Sequence, residues 1–391
     1  MRQSISLFGQ VLGLINRASF ARLVDKHDGD RGAKGFTCWQ QFVAMLFCQL
    51  AQAKSLREIC QGLQSCLGKL NHLGVHAPPK RSTLSYANAH RPWQIYRDVF
   101  YELLEKCHQA APGKKPKFRF KNKLLSLDAT VIDLCETMFD WSKSTRVKGA
   151  VKLHLLLDHD GYLPTFAHIT GGAEHEIHTA RLLRLPAGSI VAVDRGYIDY
   201  DLFYGWTQAG IWFVTRAKSN MVYEVVETRR PPQGRNILSD QVIRLTGEVG
   251  REKCPALLRR VEVWDPEGER SFVLLTNHLE FGASTIAEIY RDRWEIELFF
   301  KALKQNLKVK TFVGTSANAL RIQIWTALIA MLLIKYLQFI SRHGWGLSNL
   351  VALLHWNLFT YRDLVEWIND PFNTPPEASE WRQLPLPFGG T

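Results

Sequence analysis

"LLSLDATVIDL", residues 124–134, is where the periodicity of the chain changes. Upstream, apolar residues recur at spacings of three and four; from here on, short apolar runs end in turn residues. "VKLHLLLD" (151–158) and "LPTFAHIT" (163–170) repeat the pattern, with "DHDG" (158–161) between them. The helical segment "HEIHTARLLRL" (175–185) then precedes the apolar strand "SIVAVD" (189–194), and the helix "DYDLFYGWTQA" (199–209) leads to "IWFVTR" (211–216). Three strands followed by helix, strand, helix and strand describe a mixed α/β sheet.

The segments on either side differ from this core. Residues 1–111 read as helices: "CWQQFVAMLFCQLAQ" (38–52) places Phe42, Met45, Leu46 and Leu50 at helical spacing. Ser55 with Glu58 forms a capping box at the head of the next helix. Pro78 and Pro79 break the pattern, and a helix restarts at Ser82 or Thr83. The segment "KRSTLSYANAHR" (80–91) is either the second helix of a helix-turn-helix laid on DNA or part of an all-helical packing domain. "PGKKPKFRFKNK" (112–123) is a basic linker. The α/β core runs over 124–217 and 282–345, interrupted at 218–281 by an antiparallel β insertion of four short strands. At 284–294 the helix returns, with Thr285 and Glu288 as a second capping box, and 346–391 is helical and then Pro-rich.

Composition narrows the function. Residues 1–123 hold 20 Lys+Arg against 7 Asp+Glu, and the remaining residues hold 29 against 30, within a total net charge of +12. Positive charge gathered in one third of a chain suits a polyanion, because phosphate contacts release condensed counterions. Seven cysteines without a CxxC pair indicate reduced thiols and no structural zinc site. The most apolar run, "IWTALIAMLLI" (324–334), is shorter than the ~20 residues a bilayer span needs and reads as a buried helix, so no membrane partner is expected. No signal peptide is visible, and no GxGxxG, GxxxxGK or GxSxG motif supports nucleotide-cofactor or serine-hydrolase chemistry.

The candidate chemistry lies in carboxylates. Asp128 falls within the first apolar strand and Asp194 ends a later one, with Gly196 expected to allow a tight turn. A strand-end aspartate is an ordinary turn or cap residue, but in a buried strand it is costly unless it is paired or holds a metal. In "YRDRWEIELFFKALK" (290–304), Tyr290, Arg293, Glu297 and Lys304 fall within an arc of about 60° at ~100° per residue, with Lys301 beside it. Ile289, Ile296, Phe299, Phe300, Leu303 and Leu307 occupy the adjacent arc. A solvated salt-bridge face explains that stripe as simply as a site does. With Asp128 and Asp194 added, the three carboxylates could form a cage for two metal ions.

Asp128, "DRGY" from Asp194, and the Tyr-x2-Arg-x3-Glu-x6-Lys pattern of 290–304 resemble the DDE transposases of bacterial insertion sequences, the insertion-sequence-four family in particular. Residues 20–59 also resemble the helical domain that precedes the catalytic domain in one branch of that family. The resemblance implies an RNase H-like catalytic core interrupted by a β-rich insertion, in keeping with the 102 residues between Asp194 and Glu297. It implies that Asp128, Asp194 and Glu297 bind two Mg²⁺, for which Mn²⁺ can substitute. Tyr290, Arg293 and Lys304 are then expected on the DNA backbone, Lys301 and Arg195 as further phosphate contacts, and Trp264, the only tryptophan of 218–280, on a flipped base.

The implied activity is cut-and-paste transposition: binding of terminal inverted repeats in double-stranded DNA, metal-dependent hydrolysis at the ends, and transfer of 3′-OH ends by a homodimer in the bacterial cytoplasm, at the nucleoid. Two alternatives stay open on sequence: a non-transposing RNase H-like nuclease, and a catalytically silent DNA-binding protein.

Overall fold

The structure, a computed structural model, describes residues 5–66, 68–111, 117–133, 150–309 and 313–375. In chain order the first helices are α1 (Leu7–Gly13), α2 (Arg17–Lys26), α3 (Cys38–Leu50), α4 (Leu56–Ser65), α5 (Arg81–His90) and α6 (Gln94–Ala110). Then come β1 (Leu124–Asp133), β2 (Ala150–Asp158), β3 (Leu163–Gly171), α7 (Glu176–Arg181), β4 (Ile190–Val193), α8 (Tyr200–Gln208) and β5 (Trp212–Arg216). The inserted segment supplies β6 (Tyr223–Arg229), β7 (Ile237–Leu245), α9 (Glu248–Lys253), β8 (Leu258–Asp265) and β9 (Arg270–Thr276). Helices α10 (Ala283–Asp292), α11 (Trp294–Asn306), α12 (Ala317–Ile340), α13 (Leu347–Asn357) and α14 (Leu364–Asn369) are the last among the described residues.

Two compact units result. One comprises 1–103, 306–314 and 318–391; the other comprises 104–305 and 315–317. The expected boundary at 345 therefore differs from the packing, which groups the C-terminal helices with the N-terminal ones.

In the helical unit, α3 is buried along all thirteen residues, and its N-terminus carries a capping box of Thr37 and Gln40. Gln49 of α3 accepts from the Lys308 amide and so satisfies a buried polar side chain. Trp325 of α12 packs edge-on against Phe100, 5.3 Å between centroids. The expected cap at Ser55 forms: its hydroxyl accepts from the Glu58 amide. Glu58 returns the bond to the Lys54 amide, one residue earlier than a standard box. Fifteen residues, including a 3-10 turn at Asn71–Leu73, separate α4 from α5, so these two do not form a short-turn helix-turn-helix. Helix α12 has 24 residues, longer than the apolar run suggested; 83% of its most apolar window is buried, the property of a core helix.

In the second unit the nine strands among the described residues form one sheet, in the order β3-β2-β1-β4-β5-β9-β8-β7-β6. Its first five strands, with β1, β4 and β5 parallel, have the RNase H-like arrangement expected. The inserted strands do not form a separate layer. They continue the same sheet, because β9 pairs antiparallel with β5 through Thr215 and Leu275. One face packs Leu125, Leu127, Val191, Val193 and Phe213 against Phe203 and Trp206 of α8. The other packs Leu124, Ile190, Ala192 and Val214 against Ala283, Ile286 and Ile289 of α10. Period-two alternation assigns every strand side chain to one face or the other, which decides what reaches the site.

The insertion also fixes the start of α10. Arg259 of β8 and Asp240 of β7 form a buried bidentate pair at 2.7 and 2.8 Å, each side chain 4% exposed. The same guanidinium donates to the carbonyls of Leu279 and Phe281, immediately before the helix. Helix α10 is capped by Gly282 without a side-chain bond; the expected Thr285 box lies inside it and is not used.

Candidate active site

Strands β1 and β4 run parallel with Leu127 opposite Val193, so the next residues, Asp128 and Asp194, end up side by side. Neighbouring strands lie about 4.8 Å apart. By alternation both aspartates share the face covered by α10, whereas Leu127 and Val193 fill the opposite core.

The third carboxylate comes from a helix pair, not from one helix. The stretch expected to be continuous is interrupted at Arg293, where the Arg293 amide bonds to Tyr290 O and the Ile296 amide to Arg293 O, both three residues apart. Asp292 and Arg293 are drawn to opposite partners. Asp292 accepts from His159 and pairs with Lys117, and Arg293 turns toward the aspartates. The Arg293 guanidinium donates to Asp128 at 3.0 Å and to Glu297 at 2.7 Å, and so acts as a bridge between two carboxylates.

The electrostatics follow from that geometry. Burial pushes the Asp128 carboxyl up to about 6, opposed by Arg293 and the Ala129 amide and reinforced by the nearby Asp194 and Glu297. Burial disfavours charge on Arg293, yet Asp128, Tyr290 and Glu297 together outweigh it and raise its affinity for its proton. The guanidinium also lies over the Tyr290 ring, 5.5 Å from its centroid. Burial holds the Tyr290 phenol protonated, above its usual range.

The remaining expected contacts distribute unevenly. Lys304 donates to Val131 O at 2.8 Å and so tethers α11 to β1 beyond Asp128. Lys301 is exposed on α11, and Arg195 is exposed directly after Asp194. Trp264 is not brought to this face. Val261 and Val263 of β8 pack beside α10, so Trp264 projects to the opposite side of the sheet. Gly196 is not in a left-handed turn. A Cβ there would come within 2.8 Å of Glu176 Oε2, the end of a flexible side chain that can move aside.

Three carboxylates are the oxygen donors that hard divalent cations take, and a half-buried aspartate beside two like charges needs a cation nearby. The donor chemistry fits a divalent metal. Among the described residues, however, no three His, Cys, Asp or Glu side chains converge as a closed set while Arg293 bridges two of them.

Residues 119–333 match the transposase DDE domain family, and residues 3–76 match a domain of unknown function, DUF4372. The chain belongs to the DDE transposases. It is 31% identical over 292 residues, covering 73% of this chain and 80% of the relative, to a putative transposase, y4zB, of Sinorhizobium fredii. It is 26% identical over 257 residues, covering 66% and 67%, to a probable transposase for insertion sequence element IS5377 of Geobacillus stearothermophilus. A solved structure of piggyBac transposase in a synaptic complex with hairpin DNA aligns over 90% of this chain and 79% of that one, at 11% identity and a TM-score of 0.45. The protein is accordingly a DNA transposase, of a family that uses divalent metal ions.

Two residues beside the candidate site were missed from sequence. Ala192 faces Val214, so Arg216 at the end of β5 falls level with Asp194 and on the same face. Its guanidinium lies 5.2 Å over the ring of Phe272, whose ring is 6.3 Å from that of Tyr290. The alternation Trp212, Val214, Arg216 carried this signal; Phe272 required the β5–β9 pairing, which has no local signature.

Proposed function

We propose that this transposase moves its element by cut-and-paste chemistry, with Asp128, Asp194 and Glu297 as the catalytic carboxylates holding two Mg²⁺ ions. The supporting observation is the placement of Asp128 and Asp194 each one residue past the paired Leu127 and Val193 of parallel strands, with Glu297 linked to Asp128 through Arg293. Bound there, the ions would supply an activated water, later an activated 3′-OH, and stabilise the leaving 3′ oxygen.

The protein's own residues do the rest. Before DNA arrives, Arg293 balances the negative charge that Asp128 and Glu297 would otherwise hold unpaired. A divalent ion competes with the guanidinium for the two carboxylates, and a phosphate suits the planar fork that is then released. Tyr290 stays against Arg293 through the ring contact and keeps it at the site. Lys301 and Arg195 add exposed positive charge for the backbone, and Lys304 holds the end of β1 in register with α11. Trp264 has no part in this reading. In the N-terminal unit, α5 turns Arg81, Ser82, Ser85, Tyr86 and His90 outward, and we assign this face to the terminal inverted repeats. Action as a homodimer at the paired ends belongs to the same proposal.

The test is incubation of the protein with Mg²⁺ and a plasmid carrying the gene's flanking DNA, beside Glu297→Gln. Cleavage at the element ends by wild type only is the expected result. Cleavage that survives in the variant removes Glu297 from the chemistry, and end binding without cleavage by either protein favours a silent DNA-binding protein.

A further inference from the structure

Behind the carboxylates lies a second set of polar side chains with no part in the chemistry above. Ser126 Oγ is 2.7 Å from His159 Nε2, and His159 Nδ1 is 2.9 Å from Asp292 Oδ2. The Asp292 carboxylate also pairs with Lys117, and His159 and Lys117 hold it ionised against the cost of burial. Because an ionised carboxylate only accepts, Nδ1 carries the proton toward Asp292 and Nε2 faces the serine hydroxyl. The order serine, histidine, aspartate is that of a hydrolase triad, but Ser126 is 0% exposed and no substrate reaches it.

Its position suggests a different purpose. Ser126 lies two residues before Asp128 on the same face of β1. Asp292 is the residue before Arg293, at the break between α10 and α11. His159 follows β2 directly, and its amide bonds to Leu124 O at 3.1 Å. Side chains and short backbone steps therefore close a ring: Asp128 to Arg293, then Asp292, His159, Ser126 and back along β1. We infer that His159 is a positioning residue whose bonds to Ser126 and Asp292 set the helix break, and hence Glu297, at the distance from Asp128 that metal binding requires. This rests on the carboxylate assignment proposed above.

The test measures Mn²⁺ binding to the full chain by the loss of the free-ion paramagnetic resonance signal, with thermal melting in parallel. The variants are Ser126→Ala, which removes one buried oxygen, and His159→Asn, beside Asp194→Asn as a control. Residues that orient metal ligands typically contribute 10–100-fold in affinity, so about tenfold weaker Mn²⁺ binding is expected in both variants while each still melts as a folded protein. Wild-type Mn²⁺ affinity in Ser126→Ala overturns the inference, whatever His159→Asn does. Undiminished binding in Asp194→Asn overturns the carboxylate assignment itself, and this inference with it.

Discussion

Arg293 donates to Asp128 at 3.0 Å across 165 residues of sequence. The bond joins the strand that carries one carboxylate to the helix break that precedes another, so its removal leaves a largely buried negative charge beside two more. Arg293→Met is expected to lower the stability of the metal-free protein at pH 8 by up to about 3 kcal/mol. At pH 4.5, where Asp128 is largely protonated, the loss shrinks. Urea denaturation at the two pH values decides it; equal losses at both would contradict the pairing.

Asp128→Asn is expected to stabilise the metal-free protein while it abolishes cleavage. The folded-state carboxyl titrates at about 6, above its ordinary range near 4. Its contribution to stability is therefore fully present below about pH 4 and lost as pH rises through 6. Above pH 6 the wild type bears the full cost of the buried charge, at most about 3 kcal/mol at 1.36 kcal/mol per pH unit. The asparagine variant should gain on wild type between pH 4 and pH 7 and not below. A gain that is constant with pH would refute the assignment of that burial cost to Asp128.

Asp240→Ala leaves Arg259 charged, buried and without its carboxylate. Loss of one partner of such a pair costs roughly 3–5 kcal/mol. Because Arg259 also holds the carbonyls of Leu279 and Phe281, the start of α10 should loosen as well. Hydrogen exchange at the amides of 283–290 is the measurement, and protection equal to wild type would show that the insertion does not restrain this helix.

Lys80→Ala combined with Arg81→Ala removes two exposed cations at the head of α5. Affinity for element-end DNA should fall, and the slope of log affinity against log salt should decrease by roughly 0.9 for each phosphate that is no longer neutralised. An unchanged slope in a titration over salt concentration would move the DNA-reading face to another helix.

The strands were legible because apolar alternation is a local property. The run of β1 to β5 with its two helices could be placed from hydrophobic pattern and turn residues alone, as could Asp128 on a strand and Asp194 at the end of one. What stayed hidden depended on pairing across long sequence distances. Trp264 stands out by residue type, and only the partnership of Val261 and Val263 with the α10 face shows that it points away. Arg216 reaches the site through the register of β5 against β4. The break at Arg293 has no glycine or proline to announce it; it arises because Asp292 and Arg293 find partners on different strands and turns. Gly282 displaced Thr285 as the cap because the tethered carbonyls of Leu279 and Phe281 bring the chain into α10 earlier than side-chain capping alone would.

The pairing of β9 with β5 has an implication for how this protein could be dissected or evolve. A module hung on loops can be excised, and its host closes over the gap. Here, deletion of residues 218–281 would strip the partner from Val214, Thr215 and Arg216 and leave a raw strand margin with unpaired amides and carbonyls. Such margins recruit other chains and seed aggregation. The inserted strands are thus a stopper on the catalytic sheet, and a shortened descendant would need a replacement strand, a charged bulge or a covering helix at β5 before it could persist as a soluble chain.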